Sequence, residues 1–245
     1  MYKRKRILGL IPARGGSKGL PKKNIFPFLK KPLIAWTIEQ ALKSKYLDDV
    51  VVSTDDESIR NVAARCGAQA PFLRPKKFAT DKAKSIDVIL HALDFLRNKG
   101  QHYDYLMLLE PTSPLRETRD IDRALELLID NKVGARAIVG VSKVETVHPA
   151  FLVKANGRGF LKSYNNYFSK LLRRQDVSAL YFLEGSVYAS HVGTLKKKRG
   201  FLHEHTLPYI VPRWKSLEID EYMDLVCAEA ILKNITKIKD NSHHG

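Results

Sequence analysis

The stretch Ile11 to Asn24, IPARGGSKGLPKKN, follows directly on the apolar run Ile7-Leu8-Gly9-Leu10. A strand that empties into a loop rich in both glycine and cations decides how the rest of the chain is read. Gly15, Gly16 and Gly19 permit positive φ and close backbone approach, and Arg14, Lys18, Lys22 and Lys23 put four cations within ten positions. Backbone N–H groups and cations converging in one loop suit a polyphosphate, and the guanidinium of Arg14 is able to grip two oxygens at once. The same composition also describes a basic surface turn. The glycine spacing is not G-x-G-x-x-G, and no G-x-x-x-x-G-K-[ST] occurs, so neither a dinucleotide fingerprint nor a P-loop is signalled.

Working outward, 245 residues with 44% hydrophobic content suffice for one α/β domain with a buried core. The formal charge of +16, from 42 Lys and Arg against 26 Asp and Glu, favours anionic partners. Two cysteines, Cys66 and Cys227, are too few for a disulfide framework or zinc cluster. Both are expected to pack in the core, and a reducing cytoplasm is the expected compartment. The basic start MYKRKR leads into an apolar run that ends at Pro12, a first strand and not a signal peptide. No segment is long enough to span a membrane.

Pro32 to Lys45 carries apolar residues at helical spacing, and Val50 to Ser53 is a short buried run, which together predict a strand, helix, strand unit of a parallel sheet. Thr54-Asp55-Asp56-Glu57 precedes a helix from Ser58 to Cys66 that Gly67 would stop; its acids read as caps, with a metal role the alternative. Phe72 to Pro75 ends a further extended segment, ahead of a helix over Ser85 to Asn98. The apolar run Tyr103 to Leu109 predicts a central strand covered on both faces, delivering Glu110-Pro-Thr-Ser-Pro-Leu-Arg116 at its carboxyl end. Thr112, Ser113 and Arg116 read as caps of a helix from Arg119 to Asn131. After a strand over Ala135 to Lys143 the alternation breaks, and residues 146–180, with His148-Pro149 and Asn156-Gly157, suggest hairpins in an insertion. Lys196 to Arg199 reads as a solvated charged loop, and the tail 241–245 as frayed.

Alternation in the extended stretch Leu217 to Asp220 puts Glu218 and Asp220 on one face, ahead of a last helix from Glu221 to Lys233. Two such carboxylates hold Mg²⁺ through oxygen ligands, or else cap the helix. An arginine with a hydroxyl and exposed amides at a helix start is able to read the alternating acceptors and donors of a pyrimidine edge, though Arg74 reads equally as an ordinary solvated arginine. A planar arginine fork binds a carboxylate bidentately. Tyr181 and Phe182 either line a pocket or fill the core.

IPARGGSKG, LRP, PTSPLR and the terminal acidic pair stand in the order and spacing of the acylneuraminate cytidylyltransferase family, which the chain resembles over nearly its whole length. The resemblance implies a single nucleotidyltransferase-type α/β domain over 1–240, three-layered, with a mostly parallel, Rossmann-like sheet and a small inserted arm over 146–180 that packs against a second subunit. It implies that Arg14, Gly15, Gly16, Ser17, Lys18, Lys23 and Asn24 wrap the triphosphate of CTP and that Arg74, Ala83 and Ser85 contact cytosine. Glu110, Arg174, Tyr181 and Glu184 fall where the acceptor sugar acid lies, and Asp220 with Glu218 where Mg²⁺ does. Arg14, Lys18 and Asp220 carry the chemistry, a transfer of CMP from CTP to a nonulosonic acid with release of pyrophosphate. The implied partners are CTP, an acidic sugar and a second copy of the chain, with neither nucleic acid nor membrane. Three positions depart from the family pattern: Glu110 and Glu184 replace amides, and Glu218 an aspartate. A shorter 3-deoxy sugar acid such as KDO is the alternative acceptor. A metal-dependent glycosyltransferase would carry its acid pair mid-chain, and a nucleic-acid-binding module would release no pyrophosphate.

Overall fold

The computed structural model describes residues 1–145, 147–164, 173 and 177–241. Along the chain run β1 (Ile7–Pro12), the two-residue strands β2 (Pro27–Phe28) and β3 (Lys31–Pro32), α1 (Leu33–Leu42), β4 (Asp49–Ser53), α2 (Glu57–Arg65), α3 (Ser85–Asn98), β5 (Tyr105–Leu108) and α4 (Thr118–Asp130). There follow β6 (Ala137–Lys143), β7 (Val153–Ala155), β8 (Leu161–Ser163), β9 (Tyr181–His191), α5 (Val192–Lys198), β10 (Thr206–Ile210), α6 (Tyr222–Lys233) and α7 (Ile235–Asn241).

Six strands form one sheet in the order β10-β6-β9-β5-β1-β4. Its pairings are parallel except those of β9, which runs against both β5 and β6. The period of two along β1 sorts its side chains onto two faces. Ile7 and Ile11 pack with Ile34 and Ile38 of α1 and Ile121 and Leu125 of α4. Leu8 and Leu10 pack with Ile89, Leu93 and Leu96 of α3. Helices thus cover both faces, the three-layer arrangement that the alternating pattern predicts, and each fully buried Leu or Ile contributes about 1.5–3 kcal/mol. Among the described residues, no helix is long and apolar enough to cross a membrane.

Local sequence signals set the ends of α2. Asp56 caps α2 by accepting from the backbone N–H groups of Ser58 (2.7 Å) and Ile59 (3.2 Å), and Gly67, at φ +89°, follows it. Elsewhere tertiary context prevails. The cap of α4 is Glu117, boxed with Asp120, while Arg116 is fully buried. Lys196 to Lys198 lie in α5 and not in a loop; Lys196, Lys198 and the left-handed Arg199 pair with Asp94, Glu204 and Asp87. Cys66 is half-buried but Cys227 is exposed on α6, so it is not a core residue. In the expected insertion, β7 and β8 form a short antiparallel hairpin.

The C-terminal elements are tied down by a buried ion cluster. Lys215 is 3% exposed, and its Nζ sits 2.7 Å from Asp120 and 2.6 Å from Glu117. Tyr209 donates to the same aspartate at 2.9 Å, and Lys239 of α7 reaches Glu117 at 2.5 Å. Removing one partner of such a cluster strands a buried charge. Lys215→Met is expected to cost about 3–5 kcal/mol of folding stability in urea titration, whereas an unchanged midpoint would show the cluster to be inert.

Candidate active site

β1 lies between β4 and β5, so the loops leaving the carboxyl ends of these three strands open side by side at a topological switch point. They deliver the Arg14 loop, Asp55 and Glu110.

In the first loop glycine serves close approach and not positive φ. None of Gly15, Gly16 and Gly19 is left-handed; the left-handed residue there is Lys22, at φ 52°. A Cβ on Gly15 would stand 2.7 Å from Oδ2 of Asp56, and one on Gly19 would overlap the carbonyl oxygen of Asp220. Gly16 has room for a Cβ. Asn24 is buried and braces the loop, its Nδ2 donating to the Arg14 carbonyl at 2.9 Å. Ser17 is half-buried, and Lys18 is exposed.

Asp55 accepts from the Gly15 N–H at 3.1 Å and from Arg74 Nη2 at 3.4 Å. It joins the Arg14 loop to Arg74, a role that its place among capping acids hid in the sequence. Arg74 is 5% exposed, burial lowers its pKa, and its Nε has no partner among the described residues.

Two adjoining cavities follow. One, of about 300 Å³, is lined by Arg14, Arg74, Asp81, Ala83, Ser85 and Glu110. The other, of about 460 Å³, is lined by Lys23, Thr112, Gly185, Tyr188, Glu218 and Asp220. Ser85, Leu108 and Glu110 border both, which puts Glu110 at their junction. A larger opening of about 1080 Å³ beside Phe182, Trp214 and Ile231 is mostly apolar and holds none of the phosphate-loop cations.

Three of the four loop cations are already paired. Arg14 Nη1 and Lys18 Nζ reach the two oxygens of Asp81 at 2.6 and 2.8 Å, and Lys23 Nζ reaches Asp220 at 2.7 Å. Both ion pairs of Asp81 hold its carboxyl below the usual range. Burial, and then the charge of Glu218, push the Glu110 carboxyl up to about 7. Burial likewise raises Glu218, which accepts from the Gly185 backbone.

The structure thus brings together Arg14, Arg74, Ala83, Ser85 and Glu110 in one cavity, and Lys23, Glu218 and Asp220 in the next. Two of the expected acceptor residues do not join them. Tyr181 is exposed at the far end of β9, opposite Lys143. Glu184 is 1% exposed, and the N–H and hydroxyl of Ser186 both donate to its carboxylate. The missing side chain of Gly140 on β6 leaves the space that this carboxylate fills. A glycine inside the strand pattern ARAIVGVSK was the available signal of such an approach. Arg174 lies outside the described residues. Arg116 was missed as a structural residue: it donates to the Glu110 carbonyl (2.6 Å), the Ser186 carbonyl and Thr37 Oγ1 (3.2 Å), locking the end of β5 to β9.

Among known proteins, the chain matches the cytidylyltransferase family over residues 8–223, and it belongs to that family. Its membership makes it a nucleotidyltransferase. It is similar to the pseudaminic acid cytidylyltransferase of Campylobacter jejuni, with 35% identity over 92% of this chain and 96% of that one. It is 34% identical to the CMP-N,N'-diacetyllegionaminic acid synthase of Legionella pneumophila, over 93% and 97% of the two chains. It is also 34% identical to the N-acylneuraminate cytidylyltransferase of Escherichia coli, over 96% of this chain and 54% of that protein. A solved CMP:2-keto-3-deoxy-manno-octonic acid synthetase in complex with CTP shares the fold at TM-score 0.69 and 17% identity, over 94% and 99% of the chains.

Burial also pushes Glu184 from 4.5 up to about 7, against the hydrogen bonds from Ser186. Between those values the folded protein holds a proton that the unfolded chain has released, so stability is lost as pH rises through this window. Relative to Glu184→Gln, the wild type should lose on the order of 1–3 kcal/mol between pH 5 and 8 in urea unfolding. Parallel pH profiles for the two proteins would contradict this.

Proposed function

We propose that the protein transfers CMP from CTP to the anomeric hydroxyl of a nonulosonic acid, with release of pyrophosphate. The observation that carries this is the pair of adjoining cavities: one joins the phosphate-loop arginine to a buried arginine with an unpaired Nε, the other holds the acidic pair. The relatives named for pseudaminic, diacetyllegionaminic and acylneuraminic acids match over most of this chain and support an acceptor of that class.

In this reading the triphosphate lies along Arg14 to Lys23, with cytosine against Arg74, Ala83 and Ser85. The acceptor hydroxyl gives up its proton to the Asp220 carboxylate or to water as its oxygen attacks the α-phosphorus; a new P–O bond forms as the bond to pyrophosphate breaks. Arg14, Lys18 and Lys23 offset the charge that develops on the reacting and departing phosphates. The all-oxygen donors of Asp220 and Glu218 beside this path fit Mg²⁺, which takes few protein ligands and completes its shell with water and phosphate. Mg²⁺ held there would further neutralise the phosphate oxygens. Asp220, 77% exposed in its side chain, is the more accessible ligand, since Glu218 already accepts from Gly185.

Acceptor choice falls to Glu110, because the Glu184 oxygens are already engaged. When ionised, a carboxylate at the cavity junction only accepts hydrogen bonds, so an acceptor with N–H groups beyond the single acetamido of N-acetylneuraminate is favoured. A pyrophosphate-release assay crossing CTP, UTP, ATP and GTP with a panel of sugar acids checks this. CTP with a diamino nonulosonate should give the highest kcat/KM, and Glu110→Gln should shift the preference toward N-acetylneuraminate. Equal use of UTP would remove the cytosine pocket, and an unchanged preference in the variant would remove Glu110 as the selector.

The protein acts as a homodimer through the arm over 146–180. Val147, Phe160, Leu161, Tyr164 and Leu180 on this segment, with Tyr181 to Leu183 beyond it, expose apolar side chains that a second copy would cover. Sedimentation at micromolar concentration should give a dimer; a fully active monomer would end this reading.

A further inference from the structure

Asp81 stands out because the proposed chemistry gives it no task, although it touches two of the three cations assigned to the triphosphate. Each oxygen of its carboxylate takes one of them: Arg14 Nη1 at 2.6 Å and Lys18 Nζ at 2.8 Å. A planar anion with one oxygen on each cation is the contact that a phosphate group would make at the same place. Asp81 also borders the smaller cavity beside Ala83 and Ser85. Its segment is short and lightly tied, closing on itself through a turn in which the Ala83 N–H donates to the Thr80 carbonyl at 3.1 Å. All three groups are substantially solvated, with side-chain exposures of 38% for Arg14, 80% for Lys18 and 48% for Asp81. Exposed ion pairs are weak, so a polyanion is able to displace this carboxylate.

We infer that Asp81 is a built-in competitor of the triphosphate: it occupies Arg14 and Lys18 until a ligand with enough negative charge takes them. This rests on the assignment of Arg14 and Lys18 to the phosphates of CTP. The consequence is discrimination by phosphate chain. A triphosphate offers several oxyanions in exchange for one carboxylate and displaces it. A nucleoside monophosphate offers a single phosphate, gains little by the exchange and leaves Asp81 in place. Asp81 therefore lowers affinity for the triphosphate while keeping the loop neutralised, and it helps to eject pyrophosphate by reclaiming both cations after transfer.

The test is isothermal titration of CTP, CMP and inorganic pyrophosphate, without acceptor, into wild type, Asp81→Asn and Asp81→Glu. Circular dichroism confirms that each variant is folded. Asp81→Asn should bind CTP and pyrophosphate about three- to tenfold more tightly, equivalent to about 0.7–1.4 kcal/mol, with CMP affinity changed less than twofold. Asp81→Glu keeps the charge and should stay near the wild type, and added salt should narrow the difference. If Asp81→Asn binds CTP no more tightly than the wild type, or less tightly, Asp81 organises the loop and does not compete for it. That result overturns the inference and leaves the assignment of CTP standing. Failure of the wild type itself to bind CTP would bring down both.

Discussion

Ile219 fixes the geometry on which the site depends. It is fully buried with Leu20 of the phosphate loop, Phe28, Leu33 at the start of α1, and Leu225 and Ala228 of α6. Its backbone N–H donates to the Thr112 carbonyl at 2.8 Å, just beyond β5. Side chains alternate along extended chain, so burying Ile219 turns its neighbours Glu218 and Asp220 the other way, toward the cavity. One apolar residue thus brings an acidic pair from near the C-terminus against a loop from near the N-terminus. The bare backbone of Gly19 lets the Asp220 carbonyl come into contact there.

Around that seam, charge is handled in two ways. At the surface, Asp81 neutralises Arg14 and Lys18 through exposed and therefore weak pairs. Beneath it, Arg116 is fully buried and its guanidinium is spent on carbonyls of Glu110 and Ser186. Burial lowers its pKa to about 10 and raises those of Glu110 and Glu184 to about 7. Desolvation is the first cause in all three, so these groups share a region from which water is largely removed. A buried layer thus ties the strand ends together beneath a surface layer of exposed ion pairs.

The reversed strand β9 links these layers. It carries Glu184 and Ser186 into the interior and places Gly185, between them, against Glu218 and Ser113. At its start the exposed Tyr181, Phe182 and Leu183 continue from the arm segment. The cavity that holds Glu218 and Asp220 is lined by Gly185 and Tyr188 of this strand.

Much of this was legible in the sequence because the signals were local. The apolar runs at Ile7, Val50 and Tyr103, the helical spacing after Pro32 and Ser85, and the cap at Asp56 depend on neighbours a few residues away, and they fixed the strands, the helices and the covered sheet. The cation-rich loop and the terminal acid pair were likewise visible as strings. What the string lacked was partnership over distance. That Arg116 is buried, that Asp55 joins Gly15 to Arg74, that Asp81 holds Arg14 and Lys18, and that Glu184 turns inward against Gly140 all follow from contacts between segments far apart in the chain. Charge, burial and pKa are properties of such neighbourhoods, and only the tertiary structure creates them.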